Sequence, residues 1–368
     1  MVLNKDGLNT YSLKKMRYTA WLLILLLGMA LGGCRKDDLK YDIPETYTFD
    51  HVNYAGQTTR MDMVEEMTAY METAITSGAT LSAQRLREMF ENQNNPFSFT
   101  STKQLKDKCF LAAQPELEAW MDSVALISAS SAAASHGVAG RATSTDGLEH
   151  FLLSASGYDC IEMVEKGLMG AVFFYQSVAV YLSDEQTGSA VDNETVTPGE
   201  GTELQHHWDE AFGYFGAPVD FPSNPDARFW AKACAERDAL LRTSAPLMKA
   251  FITGRAAINH NDHTTKAAQI PIIRDNWERV IAATVIHELN EAKSHLADDA
   301  LRNHEVSEAV AYLGALRYNP TPKISRAQYQ SVLDALGTDL YLVTLNDINS
   351  ARSTLASVYG METIMDQL

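Results

Sequence analysis

Cysteine is scarce in this sequence, and its spacing excludes several common architectures. The chain contains 4 cysteines, and no two of them form a Cys-x-x-Cys pair. A disulfide scaffold needs more cysteines, and a zinc ribbon needs that spacing. Apart from Cys34, which is discussed below, each cysteine lies in a helical pattern beside apolar residues. We therefore predict buried free thiols at Cys109, Cys160 and Cys234, although a disulfide between two of them stays open.

Basic residues are also few. The chain has 30 Lys and Arg residues against 47 Asp and Glu residues, which gives a formal net charge of -17. Such a surface repels nucleic acid and attracts cations or basic partners, so we predict no nucleic-acid partner. The plainer alternative is that the charge serves only solubility.

Established catalytic signatures are missing. No GxSxG elbow, phosphate loop or dinucleotide fingerprint occurs. The segment HELNE (287–291) begins like a zincin motif but lacks the second histidine at the required spacing. The sequence therefore favours a binding protein over an enzyme, without excluding an enzyme.

The N-terminus contains an apolar run that is too short to cross a bilayer. Basic residues at 14–17 precede an apolar stretch over 20–31, whereas a membrane span needs about 20 apolar residues. The stretch ends in LGGC (31–34), which resembles the lipobox of bacterial lipoproteins. That resemblance implies a signal peptide over 1–33, lipidation of Cys34 and a lipidated tether over 34–46.

The same resemblance implies a location. The lipid would hold the protein at the bacterial outer membrane, on the cell surface or on the periplasmic face. Residues RKDD (35–38) resemble the surface-export tag of Bacteroidetes lipoproteins. The membrane, reached through the lipid anchor, is therefore an expected partner.

Helical periodicity dominates residues 47–368, and strand signals are nearly absent. We predict an all-α, antiparallel helical bundle. The polar segment 183–202 divides it into possible pseudo-symmetric halves, 47–190 and 203–368. The segment 128–144 reads as a loop. Helices are predicted at 60–77, 82–91, 103–127 (divided by Pro115), 146–154, 159–182, 203–215, 227–258, 265–297, 304–317, 326–336 and 347–359, with Pro246 and Pro271 kinking or breaking two of them.

An internal repeat is the most informative feature. HHWDEAFGYFG (206–216) and HEVSEAVAYLG (304–314) align without gaps, which suggests two related halves. In each copy, an apolar stripe occupies one face of the helix. A His/Glu/Tyr stripe with four-residue spacing occupies the other face, with a small residue (Gly213 or Ala311) beside it.

The two polar stripes suggest a binding site. We hypothesise that the stripes face each other across a pseudo-two-fold axis, where their side chains would bind a ligand, a divalent metal or iron. The alternatives are that the stripes make internal hydrogen bonds or face water. The candidate ligand or metal residues are His206, His207, Glu210, Tyr214, His304, Glu308 and Tyr312.

Several segments resemble a known bacterial family. YTFDHVNYAGQTTR (47–60), HHWDEAFGYFG (206–216) with APVDFP (217–222), and the region 304–319 are similar to the family labelled domain of unknown function 4856. The resemblance extends from about residue 47 to the C-terminus. It names relatives and supplies no activity.

A fainter resemblance is to imelysin-like proteins, which are exported, two-lobed helical proteins linked to iron acquisition. DGLEHFLLSASG (146–157) is similar to a helix opening in that family, with Gly147, Glu149 and His150 as its notable residues. His207 and Glu210 keep the His-x-x-Glu spacing of the family's Gly-x-His-x-x-Glu motif, but its glycine is absent. This departure puts metal binding in doubt.

Three functions remain open from the sequence. The first is a lipoprotein that binds a ligand or metal, with an outer-membrane uptake complex for iron acquisition as its expected partner. The second is a metal-dependent hydrolase that uses the same residues, and it requires an open coordination position and a general base. The third is a structural or adaptor lipoprotein of an outer-membrane complex.

Overall fold

A computed structural model describes residues 39–368 of the chain. The predicted signal peptide, the lipidation site Cys34 and the first part of the tether lie outside the described residues. Residues Ile43–Leu368 form one compact unit. Within residues 39–368, no helix has the length and apolar character needed to cross a membrane.

The described residues form twelve α-helices and a single two-stranded sheet, which confirms the all-α fold class. The helices are α1 (Ala55–Thr76), α2 (Ala83–Glu91), α3 (Gln114–Ser128), α4 (Cys160–Leu168), α5 (Asp184–Thr187), α6 (Glu203–Gly213), α7 (Phe229–Leu241), α8 (Ser244–Asn259), α9 (His263–Ser294), α10 (Asp299–Ala315), α11 (Arg326–Leu336) and α12 (Leu345–Tyr359). Short 3₁₀ turns lie at Lys106–Lys108, Leu111–Ala113, Leu316–Tyr318 and Leu340–Leu342.

The bundle is organised around the 32-residue helix α9, which packs against α7, α8, α10 and α12. Its middle is almost wholly buried because apolar residues occur on nearly every face between Val280 and Leu289. Residues 260–262 and 295–298 connect α9 to its neighbours in the chain. Connections this short place consecutive helices side by side.

Helix α4 forms a second buried element, as predicted for residues 159–182. The Asp159 side chain caps it by accepting the Ile161 N–H at 3.0 Å. The helix continues as π-helical turns at Met169–Phe174 and Gln176–Tyr181. This continuous segment, 160–181, packs against α1, α3, α6 and α10. Wide turns of this kind are frequent at functional sites.

The prediction of a loop over 128–144 and a helix over 146–154 is wrong. The strands β1 (Gly140–Thr143) and β2 (His150–Leu153) pair antiparallel there. Gly147 adopts a φ of 81°, and the Ser144 hydroxyl donates to the Asp146 carboxylate at 2.6 Å. These local interactions favour a turn over a helix at 144–147. Gly147, Glu149 and His150 are exposed on this hairpin rather than at a helix opening.

Pro246 and Pro271, which were expected to kink or break two helices, do not themselves interrupt a helix. The helix predicted over 227–258 breaks at Arg242, whose φ of 53° ends α7. Pro246 lies in the first turn of α8, where its missing N–H leaves no helical hydrogen bond unmade. Pro271 lies inside α9, which is assigned as one continuous helix from His263 to Ser294. The helix predicted over 103–127 begins only at Gln114, so Pro115, which was predicted to divide it, lies in the first turn of α3 instead.

Candidate functional site

The first His/Glu/Tyr stripe lies on α6, which begins with a capping box of Thr202 and Gln205. His206 Nε2 lies 3.8 Å from Glu210 Oε2, as the four-residue spacing predicts. Glu210 Oε1 accepts hydrogen bonds from Gln57 Nε2 at 2.8 Å and from the Tyr181 hydroxyl at 3.0 Å. Glu210 is therefore held by internal hydrogen bonds.

The neighbours of this stripe are also engaged in packing. His207 Nδ1 lies 2.7 Å from the Gln186 carbonyl oxygen. Tyr214 is fully buried, its ring stacks on Phe173 and Tyr181, and burial raises the pKa of its hydroxyl. Beside the stripe, a Cβ on Gly213 would lie 2.5 Å from the Tyr54 Cβ, which confirms that a close approach needs a small residue there.

The apolar face of α6 carries a buried ion pair that the sequence analysis missed. Arg255 Nε donates to Asp209 Oδ1 at 2.8 Å, and both side chains are fully buried. The Tyr47 hydroxyl donates to the same oxygen at 2.7 Å, and its ring stacks on Phe212 at 3.8 Å. The segments 47–60 and 206–216 therefore pack directly on each other.

The second stripe lies on α10 and is built differently. His304 Nδ1 lies 2.9 Å from Asp159 Oδ2, and its Nε2 lies 3.6 Å from Glu308 Oε2. Lys166 Nζ lies 3.3 Å from Glu308, but it is closer to two carboxylates of its own helix, Glu162 at 3.0 Å and Glu165 at 3.2 Å.

His304 acts as a charged partner in this arrangement. Burial lowers the pKa of His304, but the hydrogen bond and charge of Asp159, with Glu162 and Glu308 nearby, outweigh burial and raise it to about 10. One oxygen each of Asp159 and Glu162 and one nitrogen of His304 lie within 4.8 Å of one another. Since Asp159 caps α4 and binds His304, helix capping and ion pairing explain this cluster without a metal.

The two stripes do not converge as hypothesised. Within residues 39–368, neither cluster of metal-compatible ligand atoms combines α6 with α10. Each stripe instead meets the segment 160–181. Glu210 contacts Tyr181 near the end of that segment, whereas Glu308 contacts Lys166 near its beginning. The repeat thus marks two helices that pack on a common partner.

A second cluster of carboxylates has no such structural explanation. One oxygen each of Glu288, Glu305 and Glu308 lies within 4.8 Å of the other two. We call these residues the three-glutamate group. None of them makes a side-chain hydrogen bond to another described residue. Their closest cationic groups are Lys166 at 3.3 Å from Glu308, His295 at 3.6 Å from Glu305 and Arg237 at 3.8 Å from Glu288.

Two members of this group line a cavity of about 400 Å³ between α4, α7, α9 and α10. We call it the charged cavity. Glu288, Glu308 and Tyr312 form part of its wall together with Lys166 and Glu165. Of the predicted site residues, the structure therefore places Glu308 and Tyr312 at a cavity that could hold a ligand.

Burial strongly perturbs the acids of this group. It raises the pKa of Glu288 to about 9, with the charges of Glu308 and Glu305 adding to the shift. Burial likewise raises the pKa of Glu305 to about 7. The ion-free protein therefore holds a proton on Glu288 at neutral pH. Perturbed acids in a cavity are typical of functional sites.

Glu288 should make the stability of ion-free protein depend on pH. Because the pKa of Glu288 is higher in the folded state than in the unfolded state, the folded protein holds this proton more tightly. The resulting stabilisation is complete below the unfolded pKa of Glu288 and is lost as the pH rises through about 9. In chelator-treated protein, the free energy of unfolding should fall from pH 5 to pH 9. Glu288→Gln should reduce the fall by up to about 5 kcal/mol, and urea unfolding at both pH values measures it.

The control is Glu72→Gln. Glu72 is exposed on α1 and does not line the charged cavity, so its substitution should leave the pH dependence unchanged. An identical fall with pH in the wild type and in Glu288→Gln would contradict the assignment of buried charge to Glu288.

Sequence reasoning missed Glu288 and Glu305. Glu288 lies on α9 among Val285, Leu289 and Ala292, which are all fully buried. In the sequence, Glu288 was recognisable as an acidic residue on an otherwise apolar face of a predicted helix. Such a residue is notable because burying a charge costs free energy unless a partner compensates it. Glu305 directly follows His304, but the four-residue spacing that defines the stripe of His304, Glu308 and Tyr312 does not include it.

Cys109, Cys160 and Cys234 are buried free thiols, as predicted. Burial raises the pKa of Cys109 to about 12 and that of Cys234 to about 11, and it also raises the pKa of Cys160. Thiols of this kind are poor nucleophiles because the reactive form is the thiolate.

Comparisons with known proteins give one result. No curated protein and no solved structure matches the chain. A family model matches residues 44–362, which include the segments 47–60 and 206–222, the charged cavity and the three-glutamate group. The chain therefore belongs to the family described as Domain of unknown function (DUF4856).

Proposed function

We propose that this protein is an exported, lipid-anchored binding protein whose helical unit holds a positively charged ligand in the charged cavity. The observation that carries the proposal is the three-glutamate group, whose one buried and two half-buried side chains lack hydrogen bonds to the described residues. Glu288 and Glu308 of this group border a cavity of about 400 Å³. Acids in such a place need a positively charged partner when they ionise. A ligand that brings positive charge would supply one.

The lipid anchor belongs to the same proposal. A signal peptide and a diacylated Cys34 would place the helical unit at the outer membrane, where an uptake complex could receive the ligand. A metal ion or an iron-containing ligand falls within the proposed class. Mass spectrometry of the protein from membranes should find a diacylated Cys34 as its first residue, and an intact residue 1 without fatty acid would refute the anchor.

The cavity can be tested by the unfolding temperature of chelator-treated protein with Mn²⁺, Ca²⁺, putrescine or spermidine. A ligand at 100 times its Kd stabilises the folded state by about 2.7 kcal/mol, so at least one cation should raise the unfolding temperature by several degrees. The Glu288→Gln/Glu308→Gln double variant should lose that shift.

The control for general charge effects is Glu72→Gln on the exposed face of α1, which should keep the shift. No shift with any of the four cations, or an equal shift in the double variant, would overturn the proposal that the charged cavity binds cationic ligands.

A further inference from the structure

The spacing of the three-glutamate group suits a single metal ion. The three oxygens lie within 4.8 Å of one another. Ca²⁺ binds oxygen at about 2.3–2.6 Å and Mg²⁺ at about 2.0–2.1 Å, so oxygens on opposite sides of one ion are about 4–5 Å apart. The carboxylates therefore need only small side-chain adjustments to share an ion.

The cations nearest this group are shared with carboxylates outside it. Lys166 is closer to Glu162 and Glu165 than to Glu308. Arg237 lies 3.6 Å from Glu236 and 3.8 Å from Glu288. His304 lies 3.6 Å from Glu308 and 2.9 Å from Asp159. A divalent ion bound here would add positive charge that belongs to the group alone.

Tyr312 provides a second, independent observation. Its side chain is only 8% exposed, and it lines the charged cavity beside Glu288 and Glu308. Within the part of the chain that the structure describes, its hydroxyl makes no hydrogen bond. The hydroxyl itself is accessible from the cavity, so a bound molecule can reach it. A hydroxyl in this position suits an ion-bound water or other oxygen ligand in the cavity.

We propose that Glu288, Glu305 and Glu308 bind one hard divalent cation, with the Tyr312 hydroxyl facing the water that completes its coordination. The ligand set contains only oxygen, which favours Ca²⁺, Mg²⁺ or Mn²⁺ over softer metals. His304 is outside the set because the cluster of ligand atoms within 4.8 Å of one another contains only oxygens of the three glutamates. This inference rests on the proposed cation-binding function and names the ion class and its ligands.

Calorimetric titration of chelator-treated full-length protein with Mn²⁺ tests the inference. The wild type should bind one ion. Glu288→Gln, Glu305→Gln and Glu308→Gln should each weaken binding at least tenfold, whereas the control Glu72→Gln, at an exposed position outside the charged cavity, should stay within twofold. Tyr312→Phe removes a hydroxyl without a partner in the described chain, so it should fold normally and weaken Mn²⁺ binding at least threefold.

The outcomes separate this inference from the general proposal. Absence of Mn²⁺ and Ca²⁺ binding, combined with binding of putrescine or spermidine, would overturn the metal site and leave the cationic-ligand proposal standing. Wild-type Mn²⁺ affinity in all three glutamine variants, with circular dichroism showing intact folds, would also overturn it. Wild-type affinity in Tyr312→Phe would overturn the assigned role of that hydroxyl.

Discussion

Replacing Asp209 with alanine is expected to lower the free energy of unfolding by about 3–5 kcal/mol. The Arg255 guanidinium is fully buried, and Asp209 is the only carboxylate paired with it among the described residues. Removing Asp209 leaves that charge without its counter-ion and takes an acceptor from the Tyr47 hydroxyl. Urea unfolding followed by circular dichroism measures the loss.

The control is the double variant Asp209→Ala/Arg255→Met, because removing both charges of a buried pair is often close to neutral. It should recover most of the stability that the single variant loses. Tyr47→Phe should cost only about 1 kcal/mol, since it removes one hydrogen bond and keeps the stacking on Phe212. A loss below about 1 kcal/mol in Asp209→Ala would show that the pair does not hold α6 against α8.

Replacing Gly254 with alanine is expected to destabilise the protein by about 2–3 kcal/mol, although alanine is the better helix former. Gly254 lies inside α8, and a Cβ there would lie 2.0 Å from the Trp208 Cζ2. Trp208 is fully buried and donates to the Phe251 carbonyl oxygen, so its ring cannot move without breaking that bond.

Gly314→Ala is the matched control. Gly314 also lies inside a helix, and nothing stands within 4 Å of a Cβ added there. This substitution should stabilise the protein by up to about 1 kcal/mol. Thermal unfolding of the two variants should therefore give shifts of opposite sign, and two shifts of the same sign would contradict the packing described for Trp208.

The helices were predictable where periodicity and capping agree. The helix predicted over 326–336 matches α11, which begins with a capping box of Ser325 and Gln328. Ser82 caps α2, predicted over 82–91, by accepting the Arg85 N–H. The hairpin was missed because its strands are only four residues long, too short to show alternation. The Asp146–Gly147 turn was its main local signal.

The candidate site was predictable only in part. Four-residue spacing correctly predicted the His206–Glu210 and His304–Glu308 contacts, because that spacing is local to one helix. It could not show which helix each stripe would face. Glu288 and Glu308 come together through the packing of α9 on α10, and such a contact between helices is not readable from periodicity alone.

The repeat also differs between its copies in ways that the alignment hides. Gly216 and Gly314 align, yet Gly216 has a φ of 81° just after α6 ends, whereas Gly314 lies within α10. Asp209, which binds Arg255, aligns with Ser307, whose hydroxyl accepts the Asp159 N–H. The division of the bundle into two pseudo-symmetric halves stays a prediction.

Anomalous X-ray diffraction from crystals grown with Mn²⁺ and without chelator tests most directly whether the charged cavity is a cation site. The account predicts one anomalous peak among the carboxylates of Glu288, Glu305 and Glu308, at about 2.0–2.6 Å from their oxygens. A map with no peak there, or a peak at His206 or His304 instead, would contradict it.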